Sequence, residues 1–240
     1  MDKIQHKFVN VGALKLHIAE IGKGPNIAVF LHGFPEIWYS WRHQMIALAG
    51  AGFRAIAPDY RGYGLSDPPL EPEKTTFSHL LNDLLAILDA LSLSKPQFHT
   101  HTCVSCWKRF CHFGASPAYL FSILHPERIL GVITLGVPYA PPGPGPSMLH
   151  KYLPEGFYML RWKEPGRAEA DFGRFDAKTV VRNEIMDLVE PDTPLPSWFT
   201  EEDLSIYGAL YEKSGFRTAL QVPYRTVGDD LKLPDSVVKT

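Results

Sequence analysis

Two runs of the chain, residues 27–31 and 53–57, are almost wholly apolar, and a third, residues 129–137, is nearly so. Runs of this kind suit strands buried on both faces of a sheet. The first ends at His32-Gly33-Phe34-Pro35, where glycine and proline turn the backbone out of the sheet. Residues 38–49 then repeat apolar side chains at helical spacing (Trp38, Trp41, Met45, Leu48), and Gly50 and Gly52 stop the helix. After the second run comes a glycine-rich turn from Pro58 to Asp67. Strand, turn, helix and strand in this order predict a parallel sheet covered by helices. Ahead of them, residues 8–21 alternate apolar and polar around Asn10 and Gly12, which predicts an antiparallel hairpin at one edge of the sheet. Beyond Asp67 a proline-rich loop leads to a helix over 75–91, whose Leu80, Leu81, Leu84, Leu85, Leu88 and Leu91 form one packing stripe.

Length and charge narrow the reading. A chain of 240 residues holds one substantial core and a small cap, not two full catalytic domains. Hydrophobic residues at 45% and charged residues at 21% fit an ordinary globular protein. A net charge of −2 argues against nucleic acid or a membrane surface as partner. No window approaches the ~18 apolar residues of a membrane span, and neither end reads as a secretory or peroxisomal signal, so a cytoplasmic location is expected. In a sheet of this kind ligands sit beyond the carboxyl ends of the strands. The turn at 32–35 therefore either aims the Phe34 backbone N–H at a developing oxyanion, stiffened by Pro35, or is simply a tight strand-to-helix turn. The isomer of the Pro35 bond is open at this stage.

Three stretches carry a resemblance: HGFPEIWYSWRHQMIALAGAGFRAIAPDYRGYGLSDPP (32–69), SPAYLFSILHPERILGVITLGVP (116–138) and LYEKSGFRTALQVPYR (210–225). They resemble the soluble epoxide hydrolases of the α/β-hydrolase fold, most closely those of the plant type. The resemblance implies an α/β fold, a mainly parallel sheet flanked by helices, with a helical cap and the C-terminal strands missing. Residues 1–138 would form the N-terminal part of the core, 139–225 a shortened cap reached through a Pro/Gly-rich linker, and 226–240 the start of the return to the core. The family reaction turns an epoxide and water into a vicinal diol through an alkyl-enzyme ester. By this likeness Tyr158 and Tyr224 donate hydrogen bonds to the epoxide oxygen from the cap. Phe34 and Phe113 lend backbone N–H groups to the oxyanion hole, and His32, Gly33, Pro35 and Trp38 line the substrate. No cofactor and no metal is implied. The partner is a small apolar epoxide or a similar ligand, and a homodimer is left open.

The chain departs from that pattern where it matters most. Aligned on Phe113-Gly114-Ala115, the nucleophile position holds His112, where the family has an aspartate that opens the ring and forms the ester. The segment 98–111 before it is polar and holds all three cysteines, whereas a central parallel strand should read as Val, Ile and Leu. Altered splicing, a frameshift and real divergence all stay open as the origin of this stretch. Cys103-x-x-Cys106, with His99, His101, Cys111 and His112 near it, has zinc-type ligands, but one such pair without a second reads as composition. Ser116 lies in a small-x-Ser-x-small frame, yet the following Pro117 has no N–H to give an oxyanion hole, so Ser116 is expected in the first turn of a helix. Thr200 and Asp203 predict a reciprocal helix cap. No histidine follows His150, so no general base matches the family. The expectation is an epoxide-hydrolase-like protein without turnover and of low stability. The alternative is a non-catalytic protein that binds a small apolar ligand between cap and core.

Overall fold

The alternating segment forms the expected hairpin, β1 (Gln5–Val11) and β2 (Leu14–Ile21), in register from Gln5↔Glu20 to Val11↔Leu14. Asn10 is a strand residue opposite Lys15, and the turn is Gly12-Ala13, with Gly12 at φ +59°. The computed structural model describes residues 3–93, 97–101, 114–135, 157–183 and 194–226. Within them β2 pairs antiparallel with β4 (Phe53–Pro58), and β4 lies parallel to β3 (Asn26–Leu31). Parallel pairing continues from β3 to β5 (Gln97–His101) and on to β6 (Gly131–Leu135). The sheet order is β1-β2-β4-β3-β5-β6. The apolar runs do what their composition demands, because Ala28 to Leu31 and Ala55 to Ala57 are buried.

Between β3 and β4 the chain first makes a single 3₁₀ turn (Trp38–Trp41) and then α1 (Arg42–Gly50). The leucine stripe becomes α2 (Phe77–Ala90), capped reciprocally by Thr76 and His79, with Leu80, Leu81, Leu84, Ile87 and Leu88 buried. Asp83 shares that buried face and takes both arms of the Arg61 guanidinium, at 2.7 and 2.6 Å. Ser116 lies in the first turn of α3 (Ala115–Leu124), as its Pro117 neighbour required.

Five further helices follow: α4 (Tyr158–Lys163), α5 (Arg167–Phe172), α6 (Ala177–Asn183), α7 (Glu201–Ser214) and α8 (Arg217–Arg225). Asp203 ties them to the first half of the chain. It shares the reciprocal cap with Thr200, and its Oδ1 accepts from Arg42 Nη2 at 2.7 Å and from Tyr39 Oη at 3.0 Å. Burial disfavours the Asp203 carboxylate, but the Thr200, Tyr39 and Arg42 contacts win and hold its pKa below the ordinary value. Tyr63 Oη also donates to the Ala219 carbonyl at 2.8 Å, and Gln221 Nε2 to that of Glu73 at 2.8 Å.

Two strands differ from expectation. Residues 97–101 form a fully paired central strand although the sequence there is Gln-Phe-His-Thr-His, because ladder hydrogen bonds are made by the backbone and are open to any residue but proline. β6, expected to be buried on both faces, leaves Ile133 48% exposed, and Leu130 just before it 66%. β6 is the last strand of the described sheet, so it has a neighbour on one side only. Residues 102–113, the linker at 138–146, the region of cap shortening at 184–193 and the stretch 227–240 lie outside the described residues.

Two outcomes follow from this packing. Asp203→Ala strips a buried pair of one partner and removes the cap; it should cost roughly 3–5 kcal/mol in urea unfolding. Glu201→Ala, whose pairing with Arg182 is exposed, should cost less than about 1 kcal/mol. On the edge strand, Ile133→Lys should lower light scattering on concentration while the far-ultraviolet circular dichroism stays the same.

Candidate active site

The loop after β3 is rigid by construction. The Phe34–Pro35 peptide is cis, and Glu36 N–H donates back to the Gly33 carbonyl at 3.2 Å. A Cβ on Gly33 would meet the Gly114 nitrogen at 3.4 Å, so the loop lies against the residue that opens α3. His32 is wholly buried with both ring nitrogens engaged. Nδ1–H donates to the Gly33 carbonyl at 2.9 Å, and Nε2 accepts the Tyr60 N–H at 3.3 Å. Burial pushes its pKa below the ordinary histidine value. A neutral imidazole fixed in one tautomer between Tyr60 and Tyr63 is a structural group, with no lone pair left for a substrate.

The anchor beneath the loop is Asp59, which has no exposed surface. Its Oδ1 accepts the Trp38 N–H at 2.8 Å, and its Oδ2 accepts the Leu65 N–H at 3.1 Å and His17 Nδ1–H at 2.8 Å. A carboxylate only accepts, so His17 carries its proton on Nδ1 and presents a bare Nε2. His6 Nδ1 stands 2.8 Å from that Nε2 and must be the donor. The result is a chain of donors from the solvent-facing His6 through His17 to Asp59. The His6 pKa is lowered, first by desolvation of its ring and then by the neighbouring His17, with Asp59 opposing.

Above the loop, aromatic rings collect around Phe34. Its ring lies edge-on to Tyr224 at 5.9 Å and to Trp162 at 6.5 Å, and parallel to Phe172 at 6.2 Å. Tyr158 joins at 6.3 Å from Tyr224 and 4.8 Å from Trp162. Phe34, Tyr158 and Tyr224, far apart in sequence, thus share one buried cluster, with α4 and α8 packed against each other. Trp38 is not in it, for its ring contacts His6 at 4.8 Å, His17 at 6.0 Å and Tyr39 at 5.5 Å. Gly33 and Pro35 hold the loop, while His112 and Phe113 lie outside the described residues. Sequence reasoning passed over Asp59, His17 and His6; the Pro58-Asp59 step at the end of an apolar strand was the available signal for the first. It also passed over Trp162 and Phe172, which no spacing singles out.

Two measurements probe the anchor. Asp59→Ala leaves three donors without an acceptor, two of them buried and one part-buried, and at ~1–3 kcal/mol each the loss should reach about 3 kcal/mol or more in urea unfolding. Because the folded pKa of His6 lies below its ordinary 6.5, the unfolded chain binds more protons on acidification. Stability present above pH 6.5 should fall as the pH drops through 6.5 towards the lowered value, and His6→Gln should flatten that part of the melting-temperature profile.

Known proteins share this fold. A family model described as the alpha/beta hydrolase fold matches residues 28–98. Epoxide hydrolase 3 of Siraitia grosvenorii is 36% identical over 238 residues, covering 92% of this chain and 72% of that protein. Epoxide hydrolase 1 of the same plant is 35% identical over 266 residues, covering 99% and 80%. Among solved structures, a Vigna radiata epoxide hydrolase mutant superposes with a TM-score of 0.81 at 34% identity, over 92% of this chain and 72% of that one. A laboratory-evolved variant of potato epoxide hydrolase gives 0.80 at 34%, over 94% and 74%. With a buried loop after β3 on a β1-β2-β4-β3-β5-β6 sheet and these relatives over most of its length, the chain belongs to the epoxide hydrolases of the α/β-hydrolase fold.

Proposed function

We propose that this protein binds a small apolar epoxide between the loop at 32–35 and the cap helices, and that with His112 at the nucleophile position it does not turn the epoxide over. The observation that carries the binding half is the convergence of Phe34, Tyr158 and Tyr224 in one aromatic cluster. Two phenol hydroxyls can donate to the epoxide oxygen, and the surrounding rings accept its apolar body. The loss of turnover rests on chemistry at position 112. A carboxylate that opens an epoxide becomes an ester, and water then attacks the ester carbonyl and frees the diol. An imidazole that opens the ring forms an N-alkyl bond instead, the C–O electrons going to an alkoxide that a tyrosine protonates. That adduct has no carbonyl for water to attack, so His112 permits at most one alkylation per chain.

The same cluster suits an apolar ligand that is not an epoxide. That reading and the first divide on whether an epoxide leaves a covalent mark.

Incubation with styrene oxide should give no diol above the buffer rate, because losing one member of a catalytic unit already costs several powers of ten. Binding should quench tryptophan fluorescence through Trp162, whose ring lies 5.1 Å from Tyr224. Tyr224→Phe should weaken that binding by roughly 2- to 10-fold, the worth of one hydrogen bond. Diol formation that disappears on His112→Ala would overturn the proposal.

A further inference from the structure

The loop that presents Phe34 to the aromatic cluster has a cavity beside it. This cavity, of about 310 Å³, is formed by Pro35 and Glu36 of the loop, the start of α1, and residues of α6, α7 and the segment before α7. Phe34, Tyr158, Trp162 and Tyr224 are not in its wall, so it is distinct from the ring cluster assigned to the epoxide. Its size falls within the range of small-molecule pockets.

Three features of the wall select a class of ligand. Trp198, Phe199 and Tyr207 form a continuous aromatic side, with ring centroids 5.6 Å apart at each step, and Trp198 is half exposed at the mouth. Gln44 Oε1 is buried and accepts no hydrogen bond among the described residues, so it leaves an acceptor for an incoming donor. Finally, neither arginine in the wall offers its charge to an anion. Arg42 is held by Asp203 at 2.7 Å and lies over the Tyr39 ring, and Arg182 is held by Glu201 at 2.6 Å. Glu36 is the acidic residue among those that line the cavity. Ring faces, a vacant amide oxygen and a carboxyl together favour a cation that can donate hydrogen bonds.

We propose that this cavity binds a small organic amine carrying an apolar body. The ammonium group donates to Gln44 Oε1 beside the Glu36 carboxyl and rests against the Trp198 and Phe199 rings, while the apolar body lies along Val181 and Leu195.

Isothermal titration of the full chain with benzylamine, benzyl alcohol and benzoate tests the assignment, since the three share one ring and differ in charge. Benzylamine should bind, benzyl alcohol should bind at least about tenfold more weakly, and benzoate should give no heat of binding. Trp198→Ala removes a half-exposed side chain and should keep the far-ultraviolet circular dichroism, yet weaken benzylamine by roughly 3- to 30-fold. Gln44→Met, similar in length but without an acceptor, should weaken it by roughly 3- to 10-fold. The proposal is overturned if the alcohol binds as well as the amine, if Trp198→Ala leaves the amine affinity unchanged, or if benzylamine does not bind at millimolar concentration.

Discussion

A carboxylate sealed away from water sets the terms for the rest of the fold. Transferring an ionised group into the interior costs several kcal/mol, and the cost is recovered only when its lone pairs are met by donors in good geometry. Asp59 meets this condition by drawing one N–H from each of three places: the loop after β3 (Trp38), the glycine-rich turn (Leu65) and the hairpin (His17). Each of these segments is held in place by the same two oxygens, so none can shift without exposing a charge. The close quarters also explain one glycine. Gly64 has φ +50°, and a Cβ there would collide with the Asp59 carboxylate itself.

A second carboxylate fixes the other end of the same stretch. Asp203 completes the cap of α7 and at the same time receives Arg42 and Tyr39, the residues that open α1 and precede it. Between Trp38, fastened to Asp59, and Arg42, fastened to Asp203, the backbone has little freedom left. Phe34 lies just upstream, and Tyr211 Oη donates to the Glu36 carbonyl at 3.4 Å from α7. The ring cluster over the loop is therefore positioned by polar contacts beneath and beside it, although the cluster itself is built of aromatic rings. Rigidity of this kind is what a loop must have if its backbone N–H groups are to face developing charge without reorganising.

What could be read from the sequence was whatever is settled within one element or its turn. The hairpin, β3, β4, the leucine face of α2 and the Thr200–Asp203 cap all follow from periodicity and local hydrogen bonding. The likeness to epoxide hydrolases carried Phe34, Tyr158 and Tyr224, which lie on separate elements and have no spacing to link them. Properties set by neighbours in space were out of reach. The exposure of Ile133 depends on which strand lies last in the sheet, not on its own run. The strand at 97–101 was hidden because its side chains say nothing of the backbone ladder they ride on. His6, His17 and Asp59 are joined across 11 and 42 residues, and the direction of the Trp38 ring follows from that junction.

The Asp59 anchor has a bearing on the order in which the chain is made. All of its donors, from His17 to Leu65, precede the polar segment that begins near residue 98. The four strands around it, β1, β2, β4 and β3, are likewise complete by Pro58. Contacts between residues this near in sequence close early, since little chain entropy must be lost to bring them together. On the ribosome, where domains grow from the amino terminus, the anchored half-sheet can assemble before residues 98–112 have been synthesised. A change at 98–112 therefore meets a scaffold already in place, and its damage is confined to what is added afterwards.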